Sequence, residues 1–373
     1  MTKSCFIISF HIELAKARFY NLKRKKKNME NEDKHLEVRL AKWRDEQHKV
    51  ASEVVVLEDP ISADTDDPSS VSASTVNRFK TFLPSKTSAD VYYGGVDVSF
   101  PSNPEDLSVA VYTIVRGSDQ KVVYHDHEYF RLEVPYVSSY LSFREIDPLE
   151  RLVKKQLHDR ADLTPYAILV DGNGILHERK AGIACFLGVR TGIRTIGVGK
   201  TLYCQAGLEK KLVQRGIDRA LNESVAWLQT KKGVGTFPMD ENNNIIIDQM
   251  PIDASRLSDD SQEDCHTDRD VVLKHLANFS SGMGIKLKGS DGTIWACALL
   301  GHGGKIKSRS QAKSSTAGTK NPIFVSVGHL ISLEEAVKIC AELSSARIPE
   351  PVRQADLSGR KLLRDQHPEK RKS

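Results

Sequence analysis

The fold is decided by one stretch of the sequence, Tyr92-Tyr93-Gly94-Gly95-Val96-Asp97-Val98-Ser99-Phe100. Its aromatic and β-branched residues predict a strand that is buried in a sheet. Asp97 stands inside this otherwise apolar strand, and a buried carboxylate is costly unless it is paired or bound to a metal. The stretch therefore predicts a folded body that starts at Val91 and a functional acid within its first strand.

The segments outward from this stretch alternate between strand and helix patterns. We predict further strands over 108–116, 121–132, 166–170, 195–198, 285–288, 293–299 and 323–327. We predict helices over 148–158, 178–190, 209–230 and 333–344, the last with a capping box made by Ser332 and Glu335. A meander followed by alternating strands and helices predicts one α/β fold with a mixed central sheet flanked by helices.

The chain divides into three regions by composition. Residues 1–90 are predicted to form a basic arm, a helix over 30–52 and a polar linker rich in Ser, Asp and Thr. Residues 91–356 form the predicted catalytic domain, with a polar insertion at about 231–283, and residues 357–373 form a basic tail. The insertion carries no strand or helix pattern, so we expect it to lie outside the packed core.

The charge is unevenly distributed over the 373 residues. The formal net charge is +5, but residues 1–28 carry +7 and residues 239–270 carry −8, which leaves +6 on the rest. A basic body with a basic arm fits an anionic partner such as nucleic acid, and ordinary surface charge is the alternative. The run Lys23-Arg24-Lys25-Lys26-Lys27 would bind RNA, act as a nuclear address or be a solvated tail.

Two further features bound the class of protein. No apolar run approaches the roughly 20 residues that a membrane span needs, so we expect no membrane partner. The six cysteines are scattered without a C-x-x-C pair, which argues against a zinc cluster or a disulfide framework and favours a reducing compartment. We therefore expect the protein in the cytoplasm, the nucleus or both, the nucleolus included.

Three acids stand where chemistry favours them. Asp97 lies in its apolar strand, Asp171 ends the apolar run 166–170, and Glu145 comes just before a predicted helix. Acids at the carboxyl edge of an α/β sheet face the crevice where ligands bind. Carboxylates that converge from separate elements can hold Mg²⁺, which polarises a phosphate and activates water. For each acid alone, a turn cap or a surface salt bridge is the favoured alternative.

Other side chains could assist such a site. His177 and His329 could orient a water molecule, although a lone histidine is more often structural. Lys200 could neutralise charge on a phosphate. The aromatic turn Pro135-Tyr136-Val137-Ser138 could stack on a base and unstack its neighbour, with a core-packing loop as the equal alternative.

Taken together, these pieces resemble the endonuclease V family. The matching blocks, in order, are Tyr93-Gly-Gly-Val-Asp97-Val-Ser, Pro135-Tyr136 with Leu141-Ser-Phe-Arg-Glu145, Val170-Asp171-Gly-Asn-Gly with His177, Thr195-Ile-Gly-Val-Gly-Lys200, Val325-Ser-Val-Gly-His329 and Arg347-Ile-Pro-Glu-Pro-Val-Arg-Gln-Ala-Asp356. They cover about half of the chain, and six ordered blocks are far more specific than any one of them.

The resemblance implies a ribonuclease H-like fold, an activity and a set of site residues. Asp97, Glu145 and Asp171 would hold Mg²⁺, for which Mn²⁺ can substitute, and would act in catalysis with His177, Lys200 and His329. Pro135, Tyr136, Val137 and Ser138 would form a strand-separating wedge, and Gly172 would contact the substrate. Family members recognise hypoxanthine and cut the second phosphodiester bond on its 3′ side, leaving a 3′-hydroxyl and a 5′-phosphate.

The sequence departs from the family pattern at four positions near the site: Ser139, Glu178, Phe186 and Arg194. None of these replaces a candidate metal ligand. The interpretation that follows is a monomeric endoribonuclease for inosine-containing RNA. The alternatives are a deoxyinosine-specific DNA repair enzyme and a non-catalytic protein that binds inosine-containing RNA, and cleavage of paired RNA and DNA substrates distinguishes the three.

Overall fold

The computed structural model describes residues 35–58, 90–103, 105–134, 136–217, 283–300 and 321–366. The basic arm, most of the linker, the insertion and the last seven residues lie outside the described residues, as do Pro135 and the second half of the helix predicted over 209–230. The chain forms two compact units, Met1–Lys49 and Val50–Ser373. Residues 35–49 of the first unit are helical, which agrees with the helix predicted over 30–52.

The second unit is built on one sheet of eight strands. In chain order they are β1 (Tyr92–Ser99), β2 (Ser108–Arg116), β3 (Val122–Phe130), β4 (Ala167–Asp171), β5 (Thr195–Gly199), β6 (Met283–Lys288), β7 (Ile294–Leu300) and β8 (Ile323–His329). Their order across the sheet is β3-β2-β1-β4-β5-β8-β7-β6. Strands β1, β4 and β5 run parallel to one another, and all other neighbours are antiparallel, so the sheet is mixed as predicted.

Four helices pack against this sheet: α1 (Ser142–Asp159), α2 (Ile183–Thr191), α3 (Leu333–Glu342) and α4 (Glu350–Gln366). Residues 210–217 are also helical. Before α3, the Ser332 hydroxyl accepts a hydrogen bond from the Glu335 backbone amide at 3.1 Å, so the predicted cap is present. The Glu335 carboxylate instead accepts from the Tyr166 hydroxyl. None of the helices described here is both long and apolar enough to cross a membrane.

Two helix boundaries differ from the prediction. Helix α1 begins at Ser142 rather than at Pro148, so Pro148 lies inside it and Glu145 lies in its first turn. Pro148 is the seventh residue of the helix, so its missing N–H group removes one helical hydrogen bond, the one to the Arg144 carbonyl. Helix α2 begins at Ile183 rather than at 178, because Lys180 has a left-handed backbone with φ 52° that interrupts the helix.

The core lies on both faces of the sheet. In β4, Ile168 and Val170 pack in a cluster with α1 and α2, whereas Ala167 and Leu169 pack in a cluster with α3. This alternation is the two-residue period of a strand that is covered on both sides. The sheet is therefore the middle of three layers, and only its edges and strand ends are left for a site.

Helix α4 lies directly on β1 and β2. A Cβ atom on Gly95 would come within 2.1 Å of the Pro351 backbone, and one on Gly359 would come within 2.4 Å of the Ser99 hydroxyl. Only glycine permits so close an approach of helix to strand. The helix continues to Gln366, ten residues beyond the domain boundary placed at 356, because its apolar face extends through Leu362 and Leu363.

Candidate active site

The first two predicted acids meet at the carboxyl ends of β1 and β4. These strands are parallel, with Val96 opposite Val170, so the next residue on each strand, Asp97 and Asp171, lies side by side with its neighbour. Asp171 is the neighbouring carboxyl that contributes most to the shifted pKa of Asp97. Asp97 is only 5% exposed, whereas the Asp171 side chain is 22% exposed and faces the cleft.

The proximity of the two carboxyls changes their acid strength. Burial raises the pKa of Asp97 from 3.8 to about 9. Asp171 adds to this rise through side-chain hydrogen bonding and through its negative charge. Two carboxylates in contact cannot both ionise at low cost unless a proton or a cation lies between them. At neutral pH the pair therefore holds one proton and one negative charge.

Lys200 and Asp356 complete the group around the pair. The Lys200 ammonium lies 2.6 Å from the Asp171 carboxylate and 3.7 Å from that of Asp356, which projects from α4. Arg360, one turn further along α4, donates to Asp356 at 2.9 Å. Together these side chains line a cleft of about 260 Å³ at the end of β1.

Glu145 approaches the pair from a different helix. It is 5% exposed in the first turn of α1, and burial, together with the charge of Asp171, raises its pKa from 4.5 to about 8. Since α1 packs on the face of the sheet that holds Val96 and Val170, Glu145 reaches the acidic group from the side opposite to α4. The carboxylates of Asp97 and Asp171 thus form the close pair, and Glu145 borders it.

A divalent cation fits the pair, although not the predicted three-ligand set. Among the residues that the structure describes, no three His, Cys, Asp or Glu side chains are grouped closely enough to hold an ion by themselves. Mg²⁺ commonly binds one or two carboxylates and takes its remaining oxygens from water and substrate phosphate. The adjacent positions of Asp97 and Asp171 on parallel strands meet this requirement, whereas Glu145 comes from helix α1.

His177 connects the turn at 136–140 to the loop after β4. Its Nε2–H donates to the Ser139 carbonyl at 3.0 Å, and its Nδ1 accepts from the Arg179 amide at 3.3 Å. The ring stacks on Tyr203 at 5.3 Å, and the Tyr203 hydroxyl is 2.6 Å from that of Ser139. Burial lowers the pKa of His177 from 6.5 to about 4, so the ring is neutral. In this arrangement His177 holds the turn in place.

Gly172 lies directly behind the acid pair. Its φ of 141° is open to glycine alone, and its amide donates to the Val198 carbonyl at 3.2 Å. A Cβ atom there would come within 2.6 Å of Ile183. The residue therefore lets the chain turn sharply away from β4 immediately after Asp171.

The turn itself presents an exposed aromatic ring. Tyr136 is 69% exposed, and the Arg144 guanidinium lies 5.7 Å from its ring and 5.4 Å from the ring of Phe100 in the cleft. Val137 is half-buried and Ser138 is exposed, while Pro135 lies outside the described residues. Ser139 has a left-handed backbone with φ 69°, a conformation that glycine adopts with less strain than serine.

His329 is placed apart from the acids. It pairs with Thr195 at the start of β5, whereas Asp171 pairs with Val198, three residues and about 10 Å further along the strand. Its Nδ1 accepts from the Val55 amide at 3.2 Å, and burial lowers its pKa from 6.5 to about 4. The structure does not bring His329 to the acidic group.

Asp356 is the residue of the site that the sequence argument missed, although it ends the last matching block. The signal was available: Val352, Ala355 and Gly359 recur at helical spacing, which places Asp356 at the border of the buried face. In the sequence, an acid at such a border four residues before Arg360 indicates an ordinary helical ion pair. Only the packing of α4 on β1 shows that Asp356 lies at the cleft.

The comparisons of the sequence with known proteins agree on one family. The sequence model of the endonuclease V family matches residues 79–244 and 299–357. Mouse endonuclease V is 34% identical over 271 residues, which are 73% of this chain and 59% of the mouse protein. The chain thus spans about three fifths of the length of that relative.

Solved structures of the same kind share the fold. The crystal structure of human endonuclease V is 28% identical, covers 88% of this chain and 99% of its own, and has a TM-score of 0.55. The Ciona intestinalis endonuclease V, crystallised with a 23mer DNA that contains an inosine followed by a ribo-adenosine, is 24% identical, covers 88% and 98%, and has a TM-score of 0.57. The predicted ribonuclease H-like architecture is thereby confirmed.

Proposed function

The chain belongs to the endonuclease V family, and from this we propose that it is a divalent-metal-dependent endonuclease that cleaves inosine-containing nucleic acid. The observation that carries the proposal is the adjacent pair Asp97–Asp171, which lines one cleft near the ends of β1 and β4. A pair of carboxyls in contact, with a lysine and a further acid beside it, is suited to a divalent cation and a phosphate. The endonuclease V proteins to which the chain is similar are hydrolytic endonucleases.

Asp97 and Asp171 would hold the cation, with Mg²⁺ as our choice and Mn²⁺ as a substitute, because both prefer oxygen ligands. When bound, such a cation polarises the phosphate and lowers the pKa of an attacking water molecule. The Lys200 ammonium, 2.6 Å from Asp171, lies where it can neutralise charge on a phosphate oxygen. It would move from the carboxylate to the phosphate as substrate enters the cleft.

Glu145 is suited to accept a proton. Its pKa of about 8 lies close to neutral pH, and a proton acceptor works best when its pKa is near the working pH. It borders the pair from the α1 side, whereas Lys200 and Asp356 border it from the other side. Water activation and charge neutralisation would thus come from opposite sides of the phosphate.

The aromatic turn at 136–140 and the comparison with relatives support a more specific proposal for the substrate and the cleaved bond. We propose RNA as the preferred substrate, cleaved at the second phosphodiester bond 3′ to inosine, with a 3′-hydroxyl and a 5′-phosphate as products. The Ciona intestinalis protein was crystallised with an inosine followed by a ribonucleotide, which supports an inosine site with a ribose on its 3′ side. Tyr136, 69% exposed beside Arg144, would stack on a base and separate it from its neighbour.

The proposal is tested with four matched oligonucleotides: RNA and DNA, each with and without one inosine base. With Mg²⁺ we expect cleavage of the inosine RNA to be fastest and cleavage of the two inosine-free strands to be absent. Excess EDTA should stop the reaction, and Mn²⁺ should restore it. Product ends are mapped by mass spectrometry.

Each substrate decides one part of the proposal. Faster cleavage of the inosine DNA would make the protein a DNA repair enzyme and would overturn the RNA preference alone. Tight binding of the inosine RNA without cleavage in either metal would make it a binding protein. Cleavage that persists in EDTA would overturn the metal dependence.

A further inference from the structure

A second cavity lies beside the acidic cleft on the same edge of the sheet. It has a volume of about 370 Å³ and is lined by Lys200, Leu202, Lys210, Phe324 and Arg347, among others. Lys200 lines both cavities, because β5 ends between them. The two cavities are therefore adjacent and share one cationic side chain.

The charge of this cavity is opposite to that of the cleft. Lys200, Lys210 and Arg347 contribute three positive charges, and none of the described residues that line it is acidic. Its inner wall is apolar, since Leu202, Val213, Ile217 and Phe324 are all at most 7% exposed. A cationic rim over an apolar wall is complementary to a nucleotide, which carries an anionic phosphate and a flat apolar base face.

The cavity is held open by a specific network. The Arg347 guanidinium donates to the Lys200 carbonyl at 2.6 Å, the Pro322 carbonyl at 3.1 Å and the Asn321 carbonyl at 3.1 Å. These carbonyls belong to the segment that leaves β5 and the segment that enters β8. Because Arg347 binds main-chain oxygens rather than a carboxylate, it fixes the wall and keeps its positive charge.

We propose that this cavity is a subsite for one of the two nucleotides that flank the cleaved phosphate. Lys210 contacts the backbone phosphate of that nucleotide, and its base lies against the wall formed by Leu202 and Phe324. The inference rests on the proposed function, since it takes the acidic cleft as the place of cleavage. It adds that affinity depends on a nucleotide other than inosine, held without regard to its sequence.

The test compares Lys210→Ala with Lys211→Ala, the adjacent exposed lysine that does not line the cavity. The substrate is an inosine oligonucleotide, intact or with an abasic site at either position that flanks the cleaved bond. We expect Lys210→Ala to raise KM about 3- to 10-fold with kcat unchanged. It should also lower the slope of log affinity against log salt concentration by about one, as expected for one lost phosphate contact. Lys211→Ala should do neither.

A second variant, Gln214→Trp, tests the wall by filling the cavity from the helical segment 210–217. One abasic position should weaken binding to the wild type but leave binding to Gln214→Trp unchanged. Melting temperatures confirm that both variants are folded. The subsite is refuted if Lys210→Ala behaves as Lys211→Ala and if Gln214→Trp keeps the wild-type response to every abasic position. A wild type that cuts no inosine strand would instead refute the proposed function.

Discussion

Asp97 retains a proton in the cation-free protein, because burial and the neighbouring Asp171 raise its pKa to about 9. At neutral pH this proton occupies the position at which a cation would balance the two carboxylates. A residue that is unfavourable for folding is thus placed where it favours metal binding. Such a conflict between stability and function is common at active sites.

Asp97→Asn tests this conflict. The amide keeps the shape but needs no proton to be buried, so we expect the cation-free protein to gain at least about 1 kcal/mol in its free energy of unfolding, one pKa unit being worth about 1.4 kcal/mol. Cleavage should fall below detection, and added Mg²⁺ should no longer raise the melting temperature.

Glu133→Gln is the matched control, because Glu133 is an exposed acid outside the cleft. It should change neither stability nor the response to Mg²⁺. A stable Asp97→Asn protein that still cleaves would show that Asp97 does not belong to the cation site.

Ser139 pays a conformational cost for its place in the aromatic turn, with φ at 69°. We expect Ser139→Gly to be more stable than Ser139→Ala by about 1–2 kcal/mol. Both variants lose the hydroxyl contact with Tyr203, so their difference reports only the left-handed backbone. Urea denaturation measures it, and equal stability of the two variants would contradict the assigned conformation.

At the scale of elements, the contact of α4 with β1 is the most demanding in the fold. We expect Gly95→Ala to destabilise the protein by about 1–3 kcal/mol, because its Cβ would lie 2.1 Å from the Pro351 backbone. The helix would shift away from the strand and carry Asp356 with it, so cleavage should fall as well.

The same substitution at Gly216 is the control. Gly216 is in the helical segment 210–217, and a Cβ atom there would meet none of the described residues within 4 Å. Gly216→Ala should therefore stabilise the protein by about 1 kcal/mol, through helix propensity alone. Thermal denaturation distinguishes the two cases, and a stable Gly95→Ala protein would contradict the close packing.

Elements with a strong local pattern were predictable from the sequence. The strand over 108–116 agrees with β2 at both ends, and the cap at Ser332 is present, because alternation and capping are local signals. The start of α1 was placed six residues late, since a proline usually marks the first turn. The extension of α4 to Gln366 was missed, because a basic and amphipathic end resembles a tail.

The site was predictable only where the sheet determines it. Asp97 and Asp171 occupy adjacent positions near the carboxyl ends of neighbouring parallel strands, so their meeting follows from topology. The distance of Glu145 from the pair, the position of His329 at the far end of β5 and the arrival of Asp356 depend on how helices and strands pack. Contacts between segments that lie far apart in the chain leave no local trace in a single sequence.

At the scale of the whole molecule, buried histidines link folding to acidity. Burial lowers the pKa of His329 from 6.5 to about 4, so between these values the unfolded chain binds more protons than the folded protein. Above pH 6.5 the neutral His329 ring therefore costs the folded protein no stability. As the pH falls below 6.5, the free energy of unfolding decreases by up to about 1.4 kcal/mol per pH unit because of this residue.

The effect of His329 is isolated by comparing the stability of the wild type with that of His329→Gln. The raised pKa values of Asp97 and Glu145 act in the opposite direction over the same pH range, and they are common to the wild type and to His329→Gln. We expect the wild type to lose stability relative to His329→Gln between pH 6.5 and pH 5, measured by denaturant titration. His158→Gln, at an exposed position, should follow the wild type. Parallel curves for all three proteins would contradict the assignment.

The seating of α4 on β1 has a consequence for protein synthesis. Asp97 is translated about 260 residues before Asp356, yet the two line one cleft. A ribosome-bound chain can pair its early strands but cannot assemble the complete cleft until the last helix has emerged from the exit tunnel. The complete cleft, and with it the proposed nuclease activity, therefore forms only after α4 has been synthesised.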